Sequence, residues 1–346
     1  MGLRPWLAKM GGLGETSFME MMIRGRRNRR TPAIRGLVRE TRLAVEDLIL
    51  PVFFHADAED VAIASMPGCT RWSVVGLMKE IKEAHALGIR GVVLFPKIEE
   101  DLKDSAGSES ANEAGLVPQV IREIKKSCPE MCVITDVALD PYNIDGHDGL
   151  VVKDNGGELK ILNDETVEIL CRQAVCHAKA GADMVAPSDM MDGRIGAIRL
   201  ALDEAGFAEV GIMAYTAKYA SAFYGPFRGA LDSAPKEGDK KTYQMDPGNL
   251  REAIRELLMD EEEGADIVMV KPAGPYLDVI ARLRDETTLP MAAYQVSGEY
   301  LMIKAACESG WLDEKAIVME SLLGIKRAGA DMILTYFAKD VAKWLI

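Results

Sequence analysis

Three stretches of this sequence repeat one pattern, and that pattern limits most of what the chain can fold into. They read HAKAGADMVAPSD (177–189), DEEEGADIVMVKP (260–272) and IKRAGADMILTYF (325–337). In each, a helical stretch runs into a glycine and a short apolar run begins. Gly181, Gly264 and Gly329 suit the left-handed position just past a helix end, which a residue without a Cβ adopts freely. The runs that follow are apolar throughout, as strands buried on both faces are. A looser copy is HALGIRGVVLFP (85–96). Similar runs recur along the chain: LILPVFF (48–54), GVVLFP (91–96), CVITDVAL (132–139), DMVAPS (183–188), VGIMAYT (210–216), DIVMVKP (266–272), PMAAYQV (290–296) and MILTYF (332–337).

Amphipathic helical stretches lie between most of these runs. After Asn163, a predicted N-cap, come Val167, Leu170, Ala174, Val175 and Ala178 at helical spacing. After Asp246, Pro247 is predicted at the first helical position, followed by an apolar stripe of Leu250, Ile254, Leu257 and Leu258. Alternation of this kind predicts a parallel sheet, and eight units predict a closed (β/α)8 TIM barrel over 48–346. The alternative is a doubly wound open sheet, but no G-x-G-x-x-G follows the first strand. Residues 1–47 precede the first strand and read as an N-terminal arm.

Charge and composition narrow the partners. A net charge of −13 argues against nucleic acid. The exception is the basic stretch from Arg24 to Arg42, which reads better as an arm pairing with an acidic neighbouring subunit than as a nucleic-acid arm. No apolar run approaches a membrane span, and the N-terminus lacks the apolar core of a secretory signal. The expected location is the cytoplasm. A plastid is the alternative, because the first thirty or so residues are Arg-rich. The six cysteines show no C-x-x-C spacing and read as reduced thiols.

Polar residues gather at the C-terminal ends of the runs: Asp136, Ser188, Asp189, Lys218, Lys271, Ser297 and Tyr336. In a TIM barrel that end is the catalytic face. Lys218 and Lys271 stand at successive strand ends and are expected to point into one mouth. A lysine is nucleophilic only when neutral, which at its ordinary pKa holds for about one in 2,500 at pH 7. A desolvated mouth lined by Tyr215, Phe223, Tyr294 and Tyr336, with a second ammonium nearby, would favour the neutral form. Two readings stay open from spacing alone: Schiff-base chemistry, or lysines paired with Asp189 or Asp192. The segment 224–246, YGPFRGALDSAPKEGDKKTYQMD, is long and rich in Gly and Pro. It reads as a lid or as a solvated basic loop, and Arg228, Lys240 and Lys241 suit a carboxylate-bearing substrate.

The strings APSDMMDGRIGAIR, YTAKYASAFYGPFR, KKTYQMDP, MVKPAGPYLD and AAYQVSGEY resemble the porphobilinogen synthase family, from about Arg30 to the C-terminus. The resemblance implies condensation of two molecules of 5-aminolevulinate with loss of two waters, both substrates being held through their ketones. Lys271 resembles the lysine holding the substrate that supplies the propionate side chain of the product, and Lys218 the lysine holding the other. Arg228 and Lys240 are implied to grip one substrate carboxylate from the lid, and Ser297 and Tyr336 the other. Phe223 matches an active-site aromatic, and Asp136 and Ser188 belong to the same expected substrate site. The resemblance also implies a homo-octamer embraced by N-terminal arms.

Metals divide this family, and TDVALDPYNIDGHDG (135–149) bears on them. Zinc-using members carry three cysteines where this chain has Ala138, Asp140 and Asp148. Carboxylates suit hard cations, whereas zinc favours thiolate and imidazole. The expectation is therefore no zinc, with Asp140 and Asp148 holding a weak cation or only the substrate amine. His147 reads as a loop histidine. Glu256 matches a glutamate associated with allosteric Mg²⁺, and its helical position predicts that it faces away from the barrel; alone it would read as a solvated helix residue. Two rival functions remain: a single-lysine Schiff-base aldolase on the same fold, and a non-catalytic barrel that binds or assembles.

Overall fold

The eight apolar runs become eight parallel strands: β1 Leu48–Phe54, β2 Gly91–Pro96, β3 Cys132–Val137, β4 Met184–Pro187, β5 Gly211–Lys218, β6 Ile267–Lys271, β7 Met291–Gln295 and β8 Met332–Thr335. The computed structural model describes residues 23–231 and 233–346, apart from the side chain of Arg228. Strands pair in chain order, and β8 returns to β1 through Leu48↔Ile333 and Ile49↔Leu334. The sheet closes on itself as the expected TIM barrel. Each strand is followed by a helix of the outer layer: α1 Val74–Ala86, α2 Leu116–Ser127, α3 Asn163–Ala180, α4 Arg194–Glu204, α5 Arg251–Glu262, α6 Leu277–Arg284, α7 Glu314–Ala328 and α8 Ala338–Leu345, with a further helix, Ser297–Glu308, between β7 and α7. Among the described residues, no helix is long and apolar enough to cross a membrane.

Alternation along the strands sorts side chains into two layers. On β1, Leu48, Leu50, Val52 and Phe54 pack with the helices, while Ile49 and Phe53 join Val93, Phe95, Ile134, Met213, Tyr215 and Met269 inside the barrel. β5 breaks the alternation once. Its register with β6 runs Val268↔Ala214 and then Val270↔Ala217, so β6 advances two residues while β5 advances three. This is a bulge, which re-aims every later side chain. Met213 and Tyr215 lie in the inner layer and Ala217 in the outer one. Lys218 then pairs directly with Lys271. Without the extra residue Lys218 would face the helices.

The repeated glycines end their helices as expected, with φ of +104° at Gly181, +98° at Gly264 and +128° at Gly329. The aspartate two residues later has a part that the pattern alone does not reveal. Val133 N donates to Asp183 Oδ2 at 2.7 Å, Ile212 N to Asp266 Oδ2 at 2.7 Å and Met291 N to Asp331 Oδ2 at 2.8 Å. Each aspartate thus satisfies an amide at the start of the neighbouring strand.

Several local expectations change. Asn163 does not cap α3; it is the first helical residue, and its side chain binds Asp192 through both backbone groups, at 2.8 and 3.1 Å. Pro247 lies outside α5, which begins at Arg251, because Asp246 holds a turn through Gly248 N at 2.7 Å. Leu258 is exposed, so the stripe of α5 ends at Leu257. The segment 224–246 is not irregular throughout: Gly225–Leu231 is a helix. Two short strands, Val61–Ala62 and Thr70–Trp72, extend the sheet beside β1, and Leu150–Lys153 pairs with Leu159–Leu162 as a hairpin.

Thr41–Ile346 forms one compact unit, and the described residues 23–40 belong to another. In the latter, a turn of 3-10 helix at Gly25–Arg29 precedes a helix at Pro32–Leu37, capped by Thr31 Oγ1 accepting from Ile34 N at 3.2 Å. The arginines from Arg24 to Arg39 are exposed.

Candidate active site

Lys218 and Lys271 end adjacent strands, are both buried, and stand opposite one another in register. Their surroundings differ. Lys271 Nζ lies over four rings, 4.5 Å from the centroid of Tyr294, 4.9 Å from Tyr215, and 5.3 Å from both Tyr224 and Phe227. Burial pushes its pKa down to about 7, and the charge of Lys218 pushes the same way against Asp136, Asp140 and Asp148. An amine with that pKa is about half neutral at pH 7. Lys218 Nζ instead donates to the Ser188 carbonyl and lies 3.3 Å from Asp148 Oδ1.

The acidic side of the mouth is one network. Lys240 Nζ lies 2.6 Å from Asp148 Oδ2 and 3.3 Å from Asp140 Oδ2. Burial works against the charge of Asp148, but Lys218 and Lys240 hold its carboxyl well below the usual carboxylate range. Burial likewise opposes the Lys240 ammonium, and Asp140 and Asp148 override it and raise its pKa. Asp136 goes the other way: burial and then Asp140 push it up to about 7, against Lys218 and Ser188. Asp136 Oδ1 and the Tyr215 hydroxyl are buried with no hydrogen-bond partner among the described residues. Unpaired buried polar atoms are costly, and in a mouth they mark where a ligand's polar groups can go.

The mouth has little room. Asp140, Lys218, Tyr224, Phe227, Ser233, Lys240, Gln244 and Lys271 line a space of only about 30 Å³. That is about one water's share of liquid volume, so any organic substrate must first displace the covering segment. The helix at Gly225–Leu231 is held from outside: Ser65 Oγ donates to Pro226 O at 2.9 Å, and Arg71 Nε to Ala230 O at 3.0 Å.

The remaining expected residues fall as follows. Ser297 Oγ accepts from Phe227 N at 3.1 Å and donates to Phe223 O at 3.3 Å, so it fastens the segment after β5. The Tyr336 hydroxyl lies 2.9 Å from that of Tyr294. Phe223 is not among the rings around Lys271; Tyr224 and Phe227, which the sequence reading passed over, are. The Arg228 side chain lies outside the described residues. Neither lysine pairs with Asp189 or Asp192. Asp189 accepts from Met191 N at 2.7 Å and faces buried Arg194 at 3.8 Å, and Asp192 is held by Asn163. A further support is Glu299, whose carboxyl accepts from the amides of Ala273 at 3.3 Å, Gly274 at 2.7 Å and Val296 at 2.8 Å. It fixes the chain just beyond Lys271. Three donors from two strand ends carry no signature in one sequence.

Glu256 does not face open solvent. It is half-buried in a cleft of about 400 Å³ shared with Asp192, Glu252 and the lid residues 241–245, because that segment and the hairpin cover this side of α5. Burial pushes its carboxyl up to about 7; Arg194 opposes this, and Asp260, Asp192 and Glu252 add to it. Among the described residues, no three acidic, histidine or cysteine side chains converge as a ready metal nest, here or at Asp140 and Asp148.

Fold and site define a class: a (β/α)8-barrel enzyme with two buried amines side by side at its C-terminal mouth. Residues 22–344 match the family described as Delta-aminolevulinic acid dehydratase. The chain is 59% identical over 336 residues to the chloroplastic delta-aminolevulinic acid dehydratase of Physcomitrium patens, covering 96% of this chain and 77% of that protein. It is 59% identical over 329 residues to that of Selaginella martensii, covering 94% and 78%. A crystal structure of delta-aminolevulinic acid dehydratase (porphobilinogen synthase) from Toxoplasma gondii ME49, in complex with the reaction product porphobilinogen, matches with a TM-score of 0.92 and 52% identity over 94% of this chain and 92% of that one. The chain belongs to the delta-aminolevulinic acid dehydratase family.

Proposed function

We propose that this barrel joins two molecules of 5-aminolevulinate into porphobilinogen, with Lys218 and Lys271 each holding one substrate as an imine. The activity itself is the family's: the chain is a lyase, a porphobilinogen synthase of tetrapyrrole biosynthesis. The observation that carries the two-lysine reading is the pairing of Lys218 with Lys271 across β5 and β6. It disfavours the aldolase with one essential lysine, since a bulge is spent on turning the second one inward. In each imination the neutral amine adds to the substrate ketone, and the carbinolamine oxygen leaves as water after taking up a proton. Asp136, which holds a proton at neutral pH more readily than an ordinary aspartate, is suited to supply or accept it. Arg228 and Lys240 bind one substrate carboxylate, and Lys240 exchanges Asp140 for it. Ser297 and Tyr336 bind the other, while Phe223 and Ser188 help shape the site.

The test is incubation with 5-aminolevulinate, with porphobilinogen read by a colour reaction, and borohydride trapping read by mass spectrometry. A covalent adduct at Lys271 is expected. Product formation that survives loss of either lysine would overturn the two-imine mechanism.

Glu256, in the cleft it shares with Asp192 and Glu252, is the residue that would hold Mg²⁺. On so few carboxylates the ion would keep most of its waters, and it would supply charge neutralisation beside the lid. Direct Mg²⁺ binding, by calorimetry, should be lost in Glu256→Ala. Zinc has no thiolate at Ala138, Asp140 or Asp148, and the expected outcome of zinc chelation is unchanged activity. The exposed arginines of the N-terminal unit suit acidic surfaces of neighbouring subunits in a homo-octamer; deleting residues before Arg30 should shrink the assembly in ultracentrifugation. The chloroplastic relatives favour a plastid location over the cytoplasm, which a fluorescent fusion would test.

A further inference from the structure

Residues 233–246 cover the mouth without forming helix or strand, so their position depends on the surface they lie against. That surface includes the loop 140–149. Lys236 N donates to Asp145 O at 3.0 Å. Gly146 has φ +70°, and a Cβ there would stand 2.3 Å from the Ala234 carbonyl oxygen, so only glycine lets the two backbones lie this close. The next residue, His147, is wholly buried and grips the covering segment at two points. Its Nε2 donates to Glu237 O at 2.9 Å, since a carbonyl only accepts, and its Nδ1 lies 3.0 Å from the Tyr243 hydroxyl. The Tyr243 hydroxyl has one proton, shared between His147 Nδ1 and Asp148 Oδ2, each 3.0 Å away, and Asp148 Oδ1 faces Lys218 at 3.3 Å. One continuous path therefore joins the covering segment to a mouth amine. Ser233, Lys240 and Gln244 of this segment line the space of about 30 Å³ beside the two amines, so the position of the segment sets the room for substrate.

We propose that His147 is a positioning residue: it latches residues 233–246 over the mouth and, through Tyr243, holds Asp148 in place beside Lys218. The proposal rests on the reading of Lys218 and Lys271 as the imine-forming amines. His147 touches no substrate. When the segment lifts, His147 loses Glu237 and Tyr243 together, and Asp148 loses Tyr243. Opening of the mouth is thereby tied to the surroundings of Lys218. Asp148 keeps its Lys240 contact only while that same segment is down, so closure rebuilds the whole arrangement at once.

Hydrogen exchange on the free protein, read by mass spectrometry, tests the latch without any chemistry. His147→Ala is expected to speed exchange in 233–246 about tenfold, the loss of one or two modest hydrogen bonds, with the barrel strands and the melting temperature unchanged. His147→Gln, whose amide still donates to Glu237 O, is expected to recover most of that protection. In kinetics, His147→Ala should raise KM about tenfold. Tyr243→Phe should leave exchange in 233–246 within about threefold of wild type and lower kcat, because it frees Asp148 while the Glu237 contact persists. Wild-type exchange in a folded His147→Ala overturns the latch. Should His147→Ala not fold, Tyr243→Phe decides: an unchanged kcat overturns the path to Lys218. Borohydride trapping of wild type at Lys271 reads the underlying function separately, since its failure sinks the imine chemistry whatever the exchange shows.

Discussion

At the N-terminal end of the barrel, Asp183, Asp266 and Asp331 each accept a strand amide, and Lys125 and Arg284 add ion pairs to two of them at 2.9 and 3.0 Å. At the C-terminal end, Asp136 Oδ1 and the Tyr215 hydroxyl have no hydrogen-bond partner among the described residues, and Lys271 rests on aromatic faces. The same residue types are satisfied at one end and frustrated at the other. Satisfied groups stabilise a fold, whereas a buried amine short of counter-charge is reactive and costs stability. The comparison can be broken by variants that move the wrong property at the wrong end.

The largest effect is expected at the mouth. Lys271→Ala and Lys218→Ala should each lower kcat/KM by about 10⁴-fold or more, the scale seen when a covalent nucleophile is lost, with no loss of melting temperature. Porphobilinogen release measured against 5-aminolevulinate concentration checks this. Substantial activity in either variant would return the site to the single-lysine aldolase reading.

Next in size is a gain in stability. Lys271 titrates near 7 when folded and, in the unfolded chain, near its ordinary value of about 10.4. Below pH 7 it is charged in both states, and the cost of burying that charge is full. The cost fades as pH rises towards the unfolded value, because the neutral amine is then common to both states. Lys271→Met keeps the bulk and removes the charge. It should stabilise the fold by on the order of 2–4 kcal/mol at pH 7 and by progressively less towards pH 10. Denaturant melts at several pH values measure it; a constant gain would mean that packing, not charge, is responsible. The same titration sets the kinetics. Wild-type kcat/KM should fall about tenfold per pH unit below pH 7, as the neutral amine is lost.

The contrast between the ends also explains what could be read from sequence. β1 and β2 have the bounds of their apolar runs, and the other strands lie within two residues of theirs, because a strand buried on both faces leaves an unbroken apolar signal. Lys218 and Lys271 were visible as lysines ending such runs. Their convergence was expected, but the bulge between Ala214 and Ala217 that aims Lys218 inward was not, since VGIMAYTAK carries no mark of where a register slips. The floor aspartates were seen only as part of a repeat, because their partners are backbone amides of a different strand. Tyr224 and Phe227 escaped notice because the helix that begins just after Tyr224 and carries Phe227 is placed by Ser65 and Arg71, about 160 residues away in sequence. The cover over Glu256 was hidden for a similar reason: helical periodicity gives the face of α5, away from the barrel, but not the lid lying on it.

The smallest expected effect tests the floor. Asp266 is the informative aspartate, because its carboxylate serves Ile212 N at 2.7 Å without the ion pairs that Asp183 and Asp331 have. Asp266→Ala should cost about 1 kcal/mol, the net worth of one hydrogen bond, or a melting shift of about 2 °C in a chain of this size. Asp266→Asn, which keeps an accepting oxygen, should recover much of it. Asp266 immediately precedes the strand that Lys271 ends. Five residues at about 3.3 Å each put them about 16 Å apart, beyond the range at which effects on stability usually couple. The double variant Asp266→Ala with Lys271→Met should therefore show the sum of the single changes within about 0.5 kcal/mol. The acid limb of kcat/KM should stay near pH 7 in Asp266→Ala alone. A limb that moved, or a double variant far from additive, would show that the floor reaches the mouth through β6 and that the two ends are not independent.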